Sequence, residues 1–226
     1  MTSAARDDAK SYLYTFPGTV GTDERGALSM QWPQGQGPFT TAAAPVPNGA
    51  LATVQARPGA LTQEECDRVV ALGEAIGPES GDVEDGPSHY RVSRITWLVP
   101  RPETEWLFHR LAALFYEANR YYGFELVGFV DALQYTVYGA EEHFDWHLDL
   151  GPGSTSARKL SMSIQLSSPG DYDGGALEFI SMPLHSEALR RGTAIVFPSF
   201  LAHRVTPVTR GVRRSLVAWA YGPTFR

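Results

Sequence analysis

Residues 159–167 read Lys-Leu-Ser-Met-Ser-Ile-Gln-Leu-Ser, a strict alternation. It places Leu160, Met162, Ile164 and Leu166 on one face and Ser161, Ser163, Gln165 and Ser167 on the other. A strand, whose side chains alternate with a period of two, sorts such a run into an apolar and a polar face; a helix mixes them. From residue 124 onward, short runs of this kind alternate with turns, at 127–138, 143–150, 159–167, 176–182, 193–198 and 213–221. The intervening SPGDYDGG is a turn by composition. Short strands at close spacing indicate a sandwich or jelly roll rather than a parallel α/β sheet.

Two helices precede this region. Thr62 followed by Glu65 forms a capping-box pattern, and a helix is expected from there through about residue 76. A second is expected over about 103–122, where Leu107, Leu111, Leu114 and Phe115 recur at helical spacing. These helices would buttress one sheet. Between them, residues 78–90 form a loop rich in Gly, Asp, Ser and Pro, and YRVSRITWLVP is a strand candidate. The expected fold is mainly β with flanking helices: residues 51–226 form one jelly-roll domain whose β core is buttressed by the two N-terminal helices. Residues 1–50, rich in Gly, Pro, Ala and Thr but carrying aromatic residues, form an N-terminal arm or lid.

Composition sets outer bounds. A chain of 226 residues, 43% hydrophobic, is long enough for one domain with a substantial core. A net charge of −6 offers no basic surface for nucleic acid. The late arginines Arg190, Arg191, Arg204, Arg210, Arg213 and Arg214 fit a local anion site instead. The single cysteine, Cys66, cannot form an internal disulfide and sits in a helical pattern as a small buried residue. With no apolar signal core at the N-terminus and no apolar run of the roughly 18 residues a span needs, neither a membrane partner nor export is expected. The chain is expected to be cytoplasmic.

Residues 143–149 read His-Phe-Asp-Trp-His-Leu-Asp. On a strand, positions i and i+2 share a face, so a His-x-Asp pair can offer an imidazole nitrogen and a carboxylate oxygen to one ion. Two nitrogens and one oxygen on one face of an octahedron leave open positions, the donor set of non-haem iron(II) oxygenases. Two such pairs overlap here, His143/Asp145 and His147/Asp149, and strand geometry places all four side chains on one face without choosing between them. A third ligand should come from further along. His185 lies in a polar connection; His203 directly follows the strand-like GTAIVFP, at a strand end from which it can face inward.

At this point residues 52–226, and most strongly 131–222, resemble the prolyl 4-hydroxylase-like group of 2-oxoglutarate/Fe(II)-dependent dioxygenases. The resemblance rests on LQYTVYGAEEHFDWHLDLG, DGGALEF and GTAIVFPSFLAHRVTPVTRGVRRSLVAWAYGP. In that family a tyrosine stands nine residues before the metal histidine; Tyr138 stands nine before His147, with Phe144 at the aromatic position between. The resemblance thus selects His147 and Asp149, with His203 as the second histidine, since Pro207-Val208 and Gly211-Val212-Arg213 follow it as in the family. It implies a double-stranded β-helix and Fe(II), with 2-oxoglutarate as co-substrate and ascorbate as a stimulant. Arg213 is implied as the anchor of the distal 2-oxoglutarate carboxylate, which a planar guanidinium can hold by paired hydrogen bonds, helped by Tyr138 and by Ser161. Arg214 would point the other way. Relatives often carry glycine where Glu141 stands, so the loop entering the metal strand is expected to differ in shape.

The implied reaction inserts one oxygen atom into a C–H bond while 2-oxoglutarate is decarboxylated to succinate and CO2. In related halogenases a small residue replaces the carboxylate ligand, so Asp149 implies hydroxylation. No catalytic residue is expected beyond the metal ligands. The expected substrate is a peptide or an amino-acid derivative, contacted by Trp146, Arg158 and His143 near the mouth. A non-amino-acid metabolite, or a non-catalytic metal-binding jelly roll, are the alternatives.

Overall fold

The computed structural model describes residues 48–81, 90–180 and 182–225, together with the strand Tyr14–Thr15. Apart from that strand and residues 48–50, the expected arm lies outside the described residues, as does most of the 78–90 loop.

Two antiparallel sheets face each other across a cavity. The larger runs, in hydrogen-bonded order, Gln55–Arg57, Ala194–Pro198, Arg158–Gln165, Arg213–Tyr221, Leu133–Tyr138, Arg94–Leu98 and Glu79–Ser80. Gly128–Phe129 joins the end of Arg213–Tyr221 and also pairs with Tyr14–Thr15. The smaller sheet runs Leu177–Phe179, His203–Val205, His143–His147, Arg91–Val92. This is the expected jelly roll, mainly β with two helices ahead of most of its strands.

The helices form for the local reasons the sequence suggests. Helix α1 spans Gln63–Ile76, and Thr62 and Glu65 close the capping box in both directions. Helix α2 spans Glu105–Tyr122, starting two residues later than expected: the Thr104 hydroxyl donates to Val99 O at 2.6 Å and fixes the chain at the helix entrance. Gly73 lets α1 approach the larger sheet closely, since a Cβ there would stand 2.3 Å from the Tyr135 ring.

Register explains the alternation in 159–167. Leu160, Met162 and Ile164 join Val196, Leu216 and Ala218 in one apolar core with Val69 of α1 and Leu107, Phe108, Leu111 and Phe115 of α2. The opposite face is also buried: Ser161, Ser163 and Gln165 are each less than a tenth exposed. The polar side of this strand therefore looks into the molecule rather than into water. Cys66 belongs to the same core, and burial pushes its thiol up to about 11, as expected for an inert packing residue.

Several expected elements shift. The run 127–138 divides into Gly128–Phe129 and Leu133–Tyr138, and the metal strand stops at His147. Part of SPGDYDGG is a strand, Tyr172–Gly174, paired with Val208–Gly211, because a neighbouring edge supplies the ladder that composition does not announce. The late arginines do not converge on an anion site. Arg191, Arg204, Arg210 and Arg214 reach Asp67, Glu178, Asp173 and Glu74 at 2.6, 2.8, 2.6 and 3.0 Å, and of the group only Arg213 lines the cavity. Among the described residues, no helix is long and apolar enough to cross a membrane.

Candidate metal centre

His147 ends one strand of the smaller sheet and His203 begins its neighbour, and the antiparallel register sets the two opposite each other. The next aligned pair is Val205 with Phe144, so two steps along one strand match three along the other. The metal strand therefore carries one extra residue, a β-bulge. The bulge corrects the expectation that His143, Asp145, His147 and Asp149 share a face. It turns Phe144 onto the His147 side, where the rings stack with centroids 3.5 Å apart and planes 12° from parallel. His143 and Asp145 are turned away, and neither lines the cavity. Asp145 is exposed, and its carboxylate accepts the Trp146 N–H.

Asp149 lies two residues past the end of the strand. Its N–H and that of Leu150 both donate to Ser199 O, at 3.0 and 2.9 Å. Its carboxylate oxygens stand 3.8 Å from His147 Nε2 and 3.6 Å from His203 Nε2. His147, Asp149 and His203 thus bring three ligand atoms within 4.8 Å of one another. Each imidazole is oriented from behind: His147 Nδ1 meets Asp145 O at 2.7 Å and His203 Nδ1 meets Leu201 O at 2.9 Å. A carbonyl there accepts the Nδ1 proton and leaves the Nε2 lone pair facing inward. Phe197 and Phe179 pack around the His203 ring, at 4.7 and 5.8 Å between centroids.

The electrostatics suit a cation. Burial, and then the neighbouring His203, pull His147 down to about 4, so the ring is neutral at physiological pH. Burial opposes ionisation of Asp149, but His203, His147 and Arg158, with a hydrogen bond from Ser161, outweigh it and hold the carboxyl below its ordinary value. Asp149 Oδ2 is buried and has no hydrogen-bond partner. A buried carboxylate oxygen left unpaired is costly, and a divalent ion among these three groups would satisfy it. Two imidazole nitrogens and one carboxylate oxygen fit Fe(II).

The three ligands open onto a cavity of about 820 Å³ between the sheets. The same cavity is lined by Arg213, only 3% exposed, which sits opposite Tyr138 in the ladder, with the guanidinium 5.6 Å from the phenol ring. Burial pushes the Tyr138 phenol up, against the pull of Arg91 and Arg213. Among the described residues Arg213 has no acidic partner. A guanidinium buried without a counter-charge is a site for an anion.

The other expected contacts divide. Ser161 does not line the cavity: it is fully buried, its Oγ lies 3.0 Å from Ser199 Oγ, and its hydroxyl donates to the Asp149 carboxylate, so it supports the metal ligand. Ser163, one pleat further along, reaches the lining instead, with Ser215 and Gln134. Trp146 is held under Arg204, 4.8 Å from its guanidinium, and is outside the lining. Arg158 does line the cavity, beside Trp219 and the half-exposed Trp97 and Leu148 at the mouth. Asp131, Ser199, Phe197 and Trp219 were not anticipated; the only available signal was period two, which puts Trp219 on the Arg213 face of its strand.

Residues 133–221 match the family model described as 2OG-Fe(II) oxygenase superfamily. A PKHD-type hydroxylase of Hyphomonas neptunium (strain ATCC 15444) is 38% identical over 86 residues, 36% of this chain and 38% of that protein. One of Acidovorax ebreus (strain TPSY) is 41% identical over 86 residues, 36% and 37% of the respective chains. The match therefore spans less than two fifths of the length of these curated relatives. Among solved structures, a Pseudomonas putida prolyl-4-hydroxylase superposes with a TM-score of 0.60 at 20% identity, covering 76% of this chain and 95% of that one. A prolyl hydroxylase from Trichoplax adhaerens, in complex with a hypoxia inducible factor oxygen degradation domain peptide fragment, gives 0.60 at 15% identity, covering 74% and 83%. At these identities the likeness to solved structures is one of fold.

Proposed function

We propose that the chain, whose residues 133–221 match the 2OG-Fe(II) oxygenase superfamily model, is a 2-oxoglutarate- and Fe(II)-dependent hydroxylase acting on a peptide or amino-acid-derived substrate. One observation carries this reading: a single cavity is lined both by a three-ligand metal group with an orphaned carboxylate oxygen and by a buried arginine without an acidic partner among the described residues. A dicarboxylic co-substrate that chelates the metal and reaches Arg213 satisfies both. Fe(II) with 2-oxoglutarate, held there, would supply the activation of dioxygen, with 2-oxoglutarate converted to succinate and CO2.

The chain's own groups have defined tasks in this reading. His147, Asp149 and His203 would hold the metal through two imidazole nitrogens and one carboxylate oxygen. Arg213 fixes the distal carboxylate by paired hydrogen bonds, with the Tyr138 hydroxyl as a further donor. Phe144, Phe197, Leu177 and Val205 line the walls and exclude water. No side chain has to move a proton, so nothing catalytic is required beyond the ligands. Trp97, Trp219 and Leu148 give the mouth an apolar rim for an incoming side chain. The names of the PKHD-type and prolyl hydroxylases, and the peptide bound by the Trichoplax protein, favour a peptide or amino-acid unit over another metabolite. We assign the reaction to residues 51–226, with 1–50 as an arm or lid.

Succinate formation from 2-oxoglutarate with Fe(II) tests this reading, with candidate peptides and amino acids screened by mass spectrometry for a gain of one oxygen. The wild-type chain should form succinate and His147→Ala should not. Failure of the wild-type chain to bind 2-oxoglutarate in the presence of a divalent metal would leave a non-catalytic module as the reading.

A further inference from the structure

Asp149 differs from its two partner ligands in what holds it. His147 and His203 sit on paired strands, whereas Asp149 lies in the bend beyond, where no ladder fixes the backbone. On one side its N–H is tied to Ser199 O. On the other, Arg158 Nη1 donates to its carbonyl at 3.1 Å.

Arg158 is itself immobilised. Its Nη2 and Nε donate to Asp131 Oδ2 at 2.6 and 3.1 Å, and Nε also reaches the Tyr221 hydroxyl at 3.0 Å. The Tyr221 hydroxyl donates to the same carboxylate oxygen. The guanidinium lies 3.9 Å over the Trp219 ring. Arg158 begins one strand, Tyr221 ends the next, and Asp131 stands two residues before the third, so the cluster ties together the ends of three adjacent strands of the larger sheet. All three guanidinium nitrogens are already donating, and one ring face is covered. That is the arrangement of a rigid fork serving neighbouring protein groups, and it leaves little of the free donor edge that a substrate-binding arginine presents.

We propose that Arg158 is a positioning residue for the metal site: braced by Asp131, Tyr221 and Trp219, it sets the backbone of Asp149 and so aims the ligand carboxylate. The inference rests on the metal-dependent reading above. It replaces the sequence expectation that Arg158 meets the substrate.

The experiment is a substrate-free Mn(II) titration followed by EPR, with Co(II) absorption as a second readout of ligand geometry. It compares the wild-type chain, Arg158→Met, Arg158→Lys, Asp131→Asn and His147→Ala; Asp173→Asn, in an exposed ion pair with Arg210, is the control. Loss of a group that orients a metal ligand weakens metal binding about 10–100-fold. Arg158→Met should show that loss together with a changed Co(II) spectrum. Arg158→Lys should fall between, because an ammonium cannot serve Asp131 and Asp149 in the same fork. Asp131→Asn, isosteric and least disruptive to folding, should move both readouts in the same direction by a smaller factor, and metal-free unfolding temperatures identify any variant that has lost its fold. Unchanged affinity and spectrum in both Arg158→Met and Asp131→Asn would overturn the proposal and return Arg158 to the substrate. Wild-type-like binding by His147→Ala would overturn the metal site and this inference together. Tight Mn(II) binding whose spectrum 2-oxoglutarate leaves unchanged would sink the hydroxylase reading alone.

Discussion

The two sheets are built by different rules. The larger sheet keeps its register across most of its strands, and its outer face merges with both helices into one apolar core. The smaller sheet has strands of two to five residues, a bulge in the strand that carries His147, and a metal ligand beyond that strand's end. Its neighbouring apolar groups form small clusters around the cavity rather than one core. The larger sheet thus supplies the free energy of folding, and the smaller one spends part of it to hold charged and unpaired groups in place.

Arg213 offers the sharpest way to break this division, because it stands on the larger sheet and yet has the character of a site residue: buried, charged and without an acidic partner among the described residues. In Arg213→Met, loss of a desolvated charge contact to the co-substrate costs about 2–5 kcal/mol, roughly a 30-fold or larger rise in KM for 2-oxoglutarate. The metal-free protein should be no less stable than the parent, since an uncompensated buried charge has been exchanged for an apolar chain. Denaturant unfolding and steady-state kinetics on one preparation check both halves. A large loss of stability with KM unchanged would place Arg213 among the structural residues of its sheet.

Ile164 tests the opposite claim. It is fully buried on the helix-facing side of its strand, one residue from Ser163, which lines the cavity. Ile164→Ala should cost about 2–5 kcal/mol of unfolding free energy by emptying part of the core. With the fold still populated at moderate temperature, Mn(II) affinity should stay near that of the parent. A fall in metal affinity as large as the fall in stability would show that the two faces of the larger sheet are not energetically separable.

The same division governs what could be read in advance. The 159–167 alternation and the Thr62–Glu65 capping box are local patterns, and both became the structures they suggest. Periodicity could not say that the polar side of that strand faces a cavity, because burial on the second face depends on a sheet formed elsewhere in the chain. The bulge was not visible either: an extra residue between Phe144 and His147 leaves no mark in composition, and without it His143 and Asp145 look equivalent to the pair that converges with His203. Choosing His147 and Asp149 required the family resemblance through Tyr138. The Asp131–Arg158–Tyr221 cluster joins residues 27 and 63 positions from Arg158, beyond the reach of any local pattern.

The smallest expected effect lies at the entrance to the metal strand. Glu141 has φ of 65° and is the one non-glycine residue with positive φ among the described residues. The chain keeps the glycine-type backbone there without the glycine. Its N–H donates to Val208 O at 2.8 Å, and the Glu142 carboxylate accepts the Gly139 N–H at 2.6 Å, so hydrogen bonds from both sides impose the conformation. A left-handed conformation costs an ordinary residue about 1–2 kcal/mol, and glycine returns about 0.4–1 kcal/mol of that by loosening the unfolded chain. Glu141→Gly should therefore stabilise the protein by about 0.5–1 kcal/mol in denaturant unfolding, with Mn(II) affinity unchanged, while Glu141→Ala retains the strain and gains nothing. If Glu141→Gly instead lowers stability or metal affinity, the Glu141 side chain makes a contact worth more than the strain it carries. The small sheet would then hold this backbone for its site rather than tolerate it.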